Sequence, residues 1–264
     1  MKTSNFFKTM AIVLTLSLAG APAMAQVRNA VKKETGVAKQ MKAEPFTKVR
    51  TVRITLENPD NLRKLNDDLL HRMKDKVQDK TSQHGHGIGT SSSSSSSSAP
   101  APVDPYKAKR AFLKRWAVNN YGSNSFYTAD QVAKGQCSSP GFRAPTADEM
   151  RQLFKPGNYA FCTGQKNGKD GLWVAVNKEE LSQVVNGNNV LECLFFPYMG
   201  WIDETGRHHN SGIVDTGLMS GYYWTSSRDS EKRPIGFSLD INGSVQEMAC
   251  STDPYKFLVR GIKP

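Results

Sequence analysis

The 264-residue chain carries 35 Lys and Arg against 24 Asp and Glu, a net charge of +11, and its mean hydropathy is −0.52. This polar composition excludes a protein with several membrane-spanning helices, and the chain is too long for one small domain. A basic protein suits anionic partners, but no basic stripe is interleaved with aromatic residues, so we predict no nucleic-acid partner.

Residues 1–25 have the pattern of a secretory signal peptide. Lys2 and Lys8 precede an apolar run from Met10 to Ala19 that is too short to span a bilayer, and Ala23-Met24-Ala25 forms a small-x-small cleavage site. An uncleaved membrane anchor is the alternative. We therefore expect a protein that is exported to the periplasm, the cell surface or the medium, with no transmembrane segment in its mature chain.

Residues 26–80 form a basic strand-helix segment. Residues 49–57 alternate between apolar and polar side chains, which predicts a strand, and Asn58 and Pro59 suit the start of a helix that reaches Val77. The helix has an apolar stripe that needs a partner, either the rest of the chain, a second copy, or an envelope or appendage protein. The stripe consists of Leu62, Leu65, Leu69, Met73 and Val77.

Residues 81–102 predict a disordered linker. Eight consecutive serines, Ser91 to Ser98, are followed by an Ala-Pro repeat, and neither can bury apolar surface. His84 and His86 precede the serines, and we interpret them as part of a polar loop rather than a metal site.

Residues 103–264 carry most of the folding information. Residues 105–118 predict a helix that buries Ala108, Phe112 and Trp116. Thr146 and Glu149 form a capping box, so a second helix begins after Thr146. Turn residues at 166–171 and at Asn242-Gly243 predict hairpins. Further strands are expected at 190–198, 221–226, 235–241, 245–249 and 257–262. Helices followed by strands indicate an α+β domain with an antiparallel sheet.

The four cysteines all lie in this C-terminal part. An even number of cysteines in an exported domain predicts two disulfides, and their wide spacing does not resemble a zinc motif. Three connectivities are open, of which we favour Cys162 with Cys193 and Cys137 with Cys250.

Four segments then stand out: CSSPGFRAPTADE at 137–149, FPYMGW at 196–201, GYYWTSS at 221–227 and VRGI at 259–262. In order and spacing they resemble the motifs of the Fibrobacter succinogenes major paralogous domain family. The resemblance implies a C-type-lectin-like domain with short helices and a twisted antiparallel sheet, of a kind typical of exported Bacteroidota-type proteins with binding or adhesion roles. Gly261 stands where many members have cysteine, and Phe142 replaces a tryptophan, so the family disulfide pattern does not carry over directly.

A non-catalytic binding or adhesion protein is the function that these features favour, with a glycan or a protein as ligand and no cofactor. Irregular loops on a rigid sheet would form the ligand surface, at residues 201–215, 228–233 and part of 251–256. Arg260 is either a structural residue or a ligand clamp. The alternatives are a structural component of an appendage or envelope complex, and a metal-assisted enzyme that uses His208 and His209 with Asp203, Glu204 and Asp215. The candidate ligand-binding residues are Trp201, Asp203, Arg207, His208, His209, Tyr222, Trp224 and Arg228.

Overall fold

The computed structural model describes residues 46–82, 104–187, 192–210, 218–250 and 255–264. The signal-peptide pattern and almost all of the predicted linker lie outside these residues. The helices are α1 (Pro59–Ser82), α2 (Lys107–Lys114), α3 (Ala129–Ala133), α4 (Ala147–Leu153) and α5 (Lys178–Val185). The strands are β1 (Phe46–Arg53), β2 (Trp116–Asn120), β3 (Tyr127–Thr128), β4 (Ala160–Lys166), β5 (Lys169–Ala175), β6 (Leu194–Pro197), β7 (Trp201–Ile202), β8 (His208–His209), β9 (Ser220–Arg228), β10 (Pro234–Asp240), β11 (Ser244–Cys250), β12 (Lys256–Phe257) and β13 (Arg260–Ile262).

The strands of the described residues pair antiparallel in four sheets. The largest has the order β1-β11-β10-β9, and the others have the orders β3-β12-β7-β8, β4-β5-β6 and β13-β2. The architecture is therefore the predicted mixture of helices and antiparallel sheets. Among the described helices, none combines the length and apolar character that crossing a bilayer requires.

The predicted capping box is present at the start of α4. The Thr146 hydroxyl accepts a hydrogen bond from the backbone N–H of Glu149, and the Glu149 carboxylate accepts one from the backbone N–H of Thr146 at 2.8 Å. The same carboxylate also binds Arg143 and Arg115, at 2.8 and 3.0 Å. One glutamate thus fixes the beginning of the helix and holds two neighbouring segments against it.

The hairpin predicted at Asn242-Gly243 is confirmed, and it joins β10 to β11. The Asp240 carboxylate accepts hydrogen bonds from the backbone N–H groups of Asn242 and Ser244, both at 2.9 Å. Gly243 has a φ of +76°, a conformation that glycine adopts without strain.

Residues 46–82 pack on the C-terminal part of the same chain. Strand β1 pairs with β11 from Phe46 opposite Cys250 to Arg53 opposite Ser244, and α1 packs against α5. Residues from Phe46 onward accordingly form one compact unit. The sequence allows three partners for this segment: the rest of the chain, a second copy, or an envelope or appendage protein. The structure shows it packed on the rest of the chain.

The predicted apolar stripe of α1 is only partly used. Leu62 is 2% exposed and belongs to a small core with Cys162, Leu181 and Cys193, whereas Met73 is 65% exposed. The helix therefore docks by its first turns, and Met73, on a later turn, faces solvent.

The long helix predicted at 105–118 is wrong in its second half. Helix α2 ends at Lys114, and Trp116 begins a strand that pairs with Ile262 at the end of the chain. Phe112 and Trp116 are buried as expected, but Ala108 is exposed. Pairing with β13 satisfies the backbone of residues 116–120 and overrides their helical pattern.

We predict that Leu62→Ala lowers the free energy of unfolding of the full chain by about 2–5 kcal/mol, because it leaves a cavity beneath α1. Leu70→Ala, at a position on the same helix that is 47% exposed, is the matched control and should change it by less than about 0.5 kcal/mol. Urea denaturation followed by circular dichroism measures both. Equal effects of the two variants would show that α1 does not dock.

Candidate functional site

A short hairpin of β7 and β8 contains most of the residues that the sequence singled out. Trp201 pairs with His209 and Ile202 with His208, and the Asp203 carboxylate closes the turn. Its Oδ1 accepts hydrogen bonds from the backbone N–H of Thr205, the Thr205 hydroxyl and the backbone N–H of Arg207, at 2.9, 2.6 and 2.9 Å. Asp203 is therefore occupied in holding its own loop, as an Asx turn does.

The other oxygen of Asp203 anchors a histidine. Nε2 of His209 donates to Oδ2 of Asp203 at 2.7 Å, and the imidazole stacks on the indole of Trp201 with ring centroids 4.3 Å apart. The hydrogen bond with His209, and next that with the Thr205 hydroxyl, hold the pKa of the Asp203 carboxyl well below its ordinary value. The carboxylate thus stays ionised, and its contacts are structural.

The two adjacent histidines do not converge on a common point. Nε2 of His208 donates to the carbonyl of Met199 at 2.6 Å, and its ring meets the edge of Phe126, whereas His209 faces Trp201 and Asp203. Within the described ranges, no group of three His, Cys, Asp or Glu side chains is placed to hold a metal ion. Asp215, the third acid of the predicted cluster, lies outside the described residues.

Tyr222 and Trp224 are core residues. Their side chains are 3% and 1% exposed, the Trp224 indole N–H donates to the carbonyl of Tyr127 at 2.8 Å, and its ring stacks on Phe257. Neither ring offers a surface to a ligand, so their assignment to a binding site is corrected. Trp201, 8% exposed, packs in the same core.

Arg207 and Arg228 lie on the surface at separate places in the fold. Arg228, on β9, donates to the carbonyl of Lys232 at 2.8 Å and lies 3.5 Å from the carboxylate of Asp130. Arg207 is an exposed residue of the β7–β8 turn. Of the predicted ligand loops, residues 211–215 and 251–254 lie outside the described part of the chain.

Neither favoured disulfide is present. Cys137, Cys162 and Cys193 are buried free thiols, although Cys162 shares a core with Cys193, and Cys137 shares another with Cys250. Burial raises the pKa of Cys162 to about 11 and that of Cys193 to about 12. Thiols with so little thiolate at neutral pH react slowly.

An opening in the surface lies between the β4–β5 hairpin, β6 and the β2–β13 pair, and we name it the basic cleft. Its volume is about 290 Å³. The described residues that line it include no acid. They do include three cations and several side-chain amides, among them Lys166, Lys169, Arg260, Asn119, Asn120 and Asn124.

Arg260 forms the buried part of this cleft. It is 1% exposed, and its guanidinium donates to the carbonyls of Ala117 and Val118 at 3.0 and 2.6 Å and also to the carbonyl of Phe195. Arg260 Nε and the Oδ1 of Asn120 are buried with no hydrogen-bond partner among the described residues. Six buried side-chain polar atoms lack a partner among the described residues, and two of the six lie beside this opening.

Turn residues with positive φ supply part of the lining. Ser123, Asn124 and Asn167 have φ values of 54°, 77° and 52°, and all three line the cleft. Asn167 and Gly168 form the tight turn between β4 and β5, and the Asn120 amide donates to the Asn124 side chain at 3.0 Å. Asparagine tolerates positive φ, and an Asn-Gly hairpin turn requires it, so these values belong to the turns that carry the lining side chains.

The sequence alone places Lys166 and Lys169 on either side of a predicted turn and allows Arg260 a structural or a ligand-binding role. Asn167-Gly168 predicts the hairpin. No local sequence pattern, however, indicates that residues 118–124, 166–169 and 260 lie close together. Comparisons of the chain with protein-family models, with curated proteins and with solved structures find no match.

We predict that Asp203→Ala raises amide hydrogen exchange at Thr205 and Arg207 at least about tenfold, since each loses a hydrogen bond to a carboxylate. Because the pKa of Asp203 is lowered, the wild-type turn keeps its protection as the pH falls through about 3.9, the ordinary Asp value, and loses it only below that. Exchange measured by NMR tests both. Asp229→Ala, which removes a similar turn at 229–233, is the control and should leave residues 205 and 207 unchanged.

We also predict that Cys162 and Cys193 alkylate at pH 8 at least about 100-fold more slowly than an exposed cysteine, because their raised pKa values and burial leave little accessible thiolate. The introduced surface thiol of Ser230→Cys supplies the reference rate. Mass spectrometry after iodoacetamide treatment, with and without denaturant but without reductant, gives the measurement. If both residues remain unlabelled in the denatured protein, they are oxidised, contrary to this structure.

Proposed function

We propose that this chain is an exported, non-catalytic binding protein that holds its ligand in the basic cleft. The observation that carries the proposal is the pair of buried, unpartnered polar atoms, Arg260 Nε and Asn120 Oδ1, beside an opening lined by cations and amides. A site with convergent polar groups on rigid strands is what small-ligand recognition requires. Export is proposed from the signal-peptide pattern of residues 1–25.

A C-type-lectin-like fold of the Fibrobacter succinogenes major paralogous domain type belongs to the same proposal. The proposal is supported by antiparallel strands that alternate with helices along the chain, by burial of the GYYWT part of β9, and by a terminal strand whose arginine is buried. In such an arrangement the motif residues build the scaffold, and the segments between them form the ligand site. Arg260 then has both of the roles that the sequence left open.

A structural component of an envelope or appendage complex is the second candidate. The observation in its favour is the outer part of α1, where Leu70 and Met73 are 47% and 65% exposed. A metal-assisted enzyme has less support, because His208 and His209 bind different internal partners.

The proposal is tested by probing glycan and protein arrays with the full chain and with Val118→Trp. Val118 is 60% exposed at the rim of the cleft, so an indole there obstructs the opening without a change of charge. Val49→Trp, at an exposed valine of β1 outside the cleft, is the matched control.

We expect Val118→Trp to weaken binding to the array ligands at least about tenfold and Val49→Trp to change it less than about twofold. Unchanged binding by Val118→Trp would place the ligand elsewhere on the molecule. The absence of any array ligand for the wild-type protein, together with its recovery in a stable envelope complex, would favour the structural candidate.

A further inference from the structure

The β4–β5 hairpin places two like charges directly opposite each other. Lys166 and Lys169 are cross-strand partners on either side of the Asn167-Gly168 turn, so their side chains leave the same face. Like charges at such positions destabilise a hairpin. Neither lysine forms an ion pair within the described part of the chain. Lys166 lies over the ring of Trp173 at 5.5 Å, and Lys169 lies 3.8 Å from the sulfur of Met199.

A third cation lies beneath this pair. Arg260 contacts backbone carbonyls and the face of Phe196, 4.9 Å from the ring centroid, and no carboxylate pairs with it among the described residues. Burial lowers the pKa of Arg260 to about 10, and burial together with the charge of Arg260 lowers the pKa of Lys166. The cleft therefore concentrates positive charge in a partly desolvated place, where an anion is strongly attracted.

The rest of the lining suits a ligand rich in hydroxyl groups. Asn119, Asn124, Asn167 and Ser123 each offer a donor and an acceptor, and an amide can bind two neighbouring hydroxyls at once. Three of these residues, Ser123, Asn124 and Asn167, lie in turns with positive φ. Phe195 and Pro197 contribute the apolar part of the lining, and both are buried.

The size of the opening limits the ligand. A volume of about 290 Å³ is near the lower end for small-molecule sites and suits one sugar ring with its substituents. Single-stranded nucleic acid requires a row of exposed aromatic platforms along a groove, and Phe195 is 6% exposed. The charge and the amides thus favour an acidic saccharide over a polynucleotide.

We propose that the basic cleft binds an acidic saccharide, with the oxyanion of a uronate or a sulfated sugar between Lys166 and Lys169 and the ring hydroxyls on the asparagine side chains. This inference rests on the proposed function and specifies its ligand class. The oxyanion offsets part of the positive charge of the facing lysines and of Arg260, for which the described residues supply no carboxylate partner.

The test is isothermal titration of the full chain with methyl glucuronide, glucose sulfate and methyl glucoside. We expect both acidic sugars to bind at least about tenfold more tightly than the neutral glucoside, and the stronger of the two identifies the oxyanion. Their affinity falls with added salt, because the attraction is electrostatic.

Lys166→Gln and Lys169→Gln should each weaken the acidic sugars about fivefold or more and leave the neutral glucoside unchanged. Lys134→Gln, which removes an exposed lysine after α3, is the matched control and should have an effect below about twofold. Thermal unfolding of each variant verifies folding, and removal of one of two facing lysines should not lower the Tm.

Equal affinity for methyl glucoside and the acidic sugars, or no effect of either glutamine variant, would overturn the acidic-saccharide proposal. Tighter binding of a short oligothymidylate than of either acidic sugar would also overturn it. If Val118→Trp still abolishes binding to an array ligand in that case, the proposed function stands and only the ligand class is wrong.

Discussion

The guanidinium of Arg260 is the interaction on which the C-terminal architecture and the candidate site both depend. From the first position of β13 it donates to two carbonyls of β2 and one of β6, so one side chain joins the terminal strand pair to the three-stranded sheet. Each of these bonds uses a charged donor, which makes it stronger than an ordinary backbone bond. The same side chain places a positive charge beneath the cleft that these elements enclose.

Two other partly or fully buried charges, those of Glu247 and Glu149, are paired with opposite charges. Glu247 is 2% exposed and pairs with Arg151, whose Nε lies 2.9 Å from its carboxylate, and Glu149 binds Arg143 and Arg115. These pairs satisfy the rule that a buried charge needs an opposite charge. Arg260 departs from it within the described residues, and the half-buried Lys166 beside it has no carboxylate partner there either. Violations of local rules that occur together are typical of functional sites, where stability is given up for binding.

The local features of the fold were predictable because their causes are local. Thr146 and Glu149 specify a helix start within four residues, and Asn242-Gly243 specifies a hairpin within two. Trp116 shows the limit of such patterns. Its spacing from Phe112 fits a helix, but the last residues of the chain offer its backbone a strand partner, and that contact crosses almost the whole domain.

The candidate site was less predictable than the fold for the same reason. The sequence makes His208-His209 a candidate site because two titratable residues are adjacent. Neighbouring residues of a strand face opposite ways, however, and these two bind different partners. The basic cleft gathers Asn124, Lys166 and Arg260 from distant segments. The one sign of the cleft within a short stretch of sequence is the pair of lysines that flank Asn167-Gly168. An acid in place of one lysine would have stabilised the turn.

The most direct test of this account is a crystal structure of the full chain soaked with methyl glucuronide. The account predicts that the sugar carboxylate lies within about 4 Å of Lys166 Nζ or Lys169 Nζ, above the buried guanidinium of Arg260, with ring hydroxyls on the asparagine amides. A glucuronide bound at the β7–β8 hairpin while the cleft holds only water would contradict it, as would a sugar in the cleft with its carboxylate turned toward solvent.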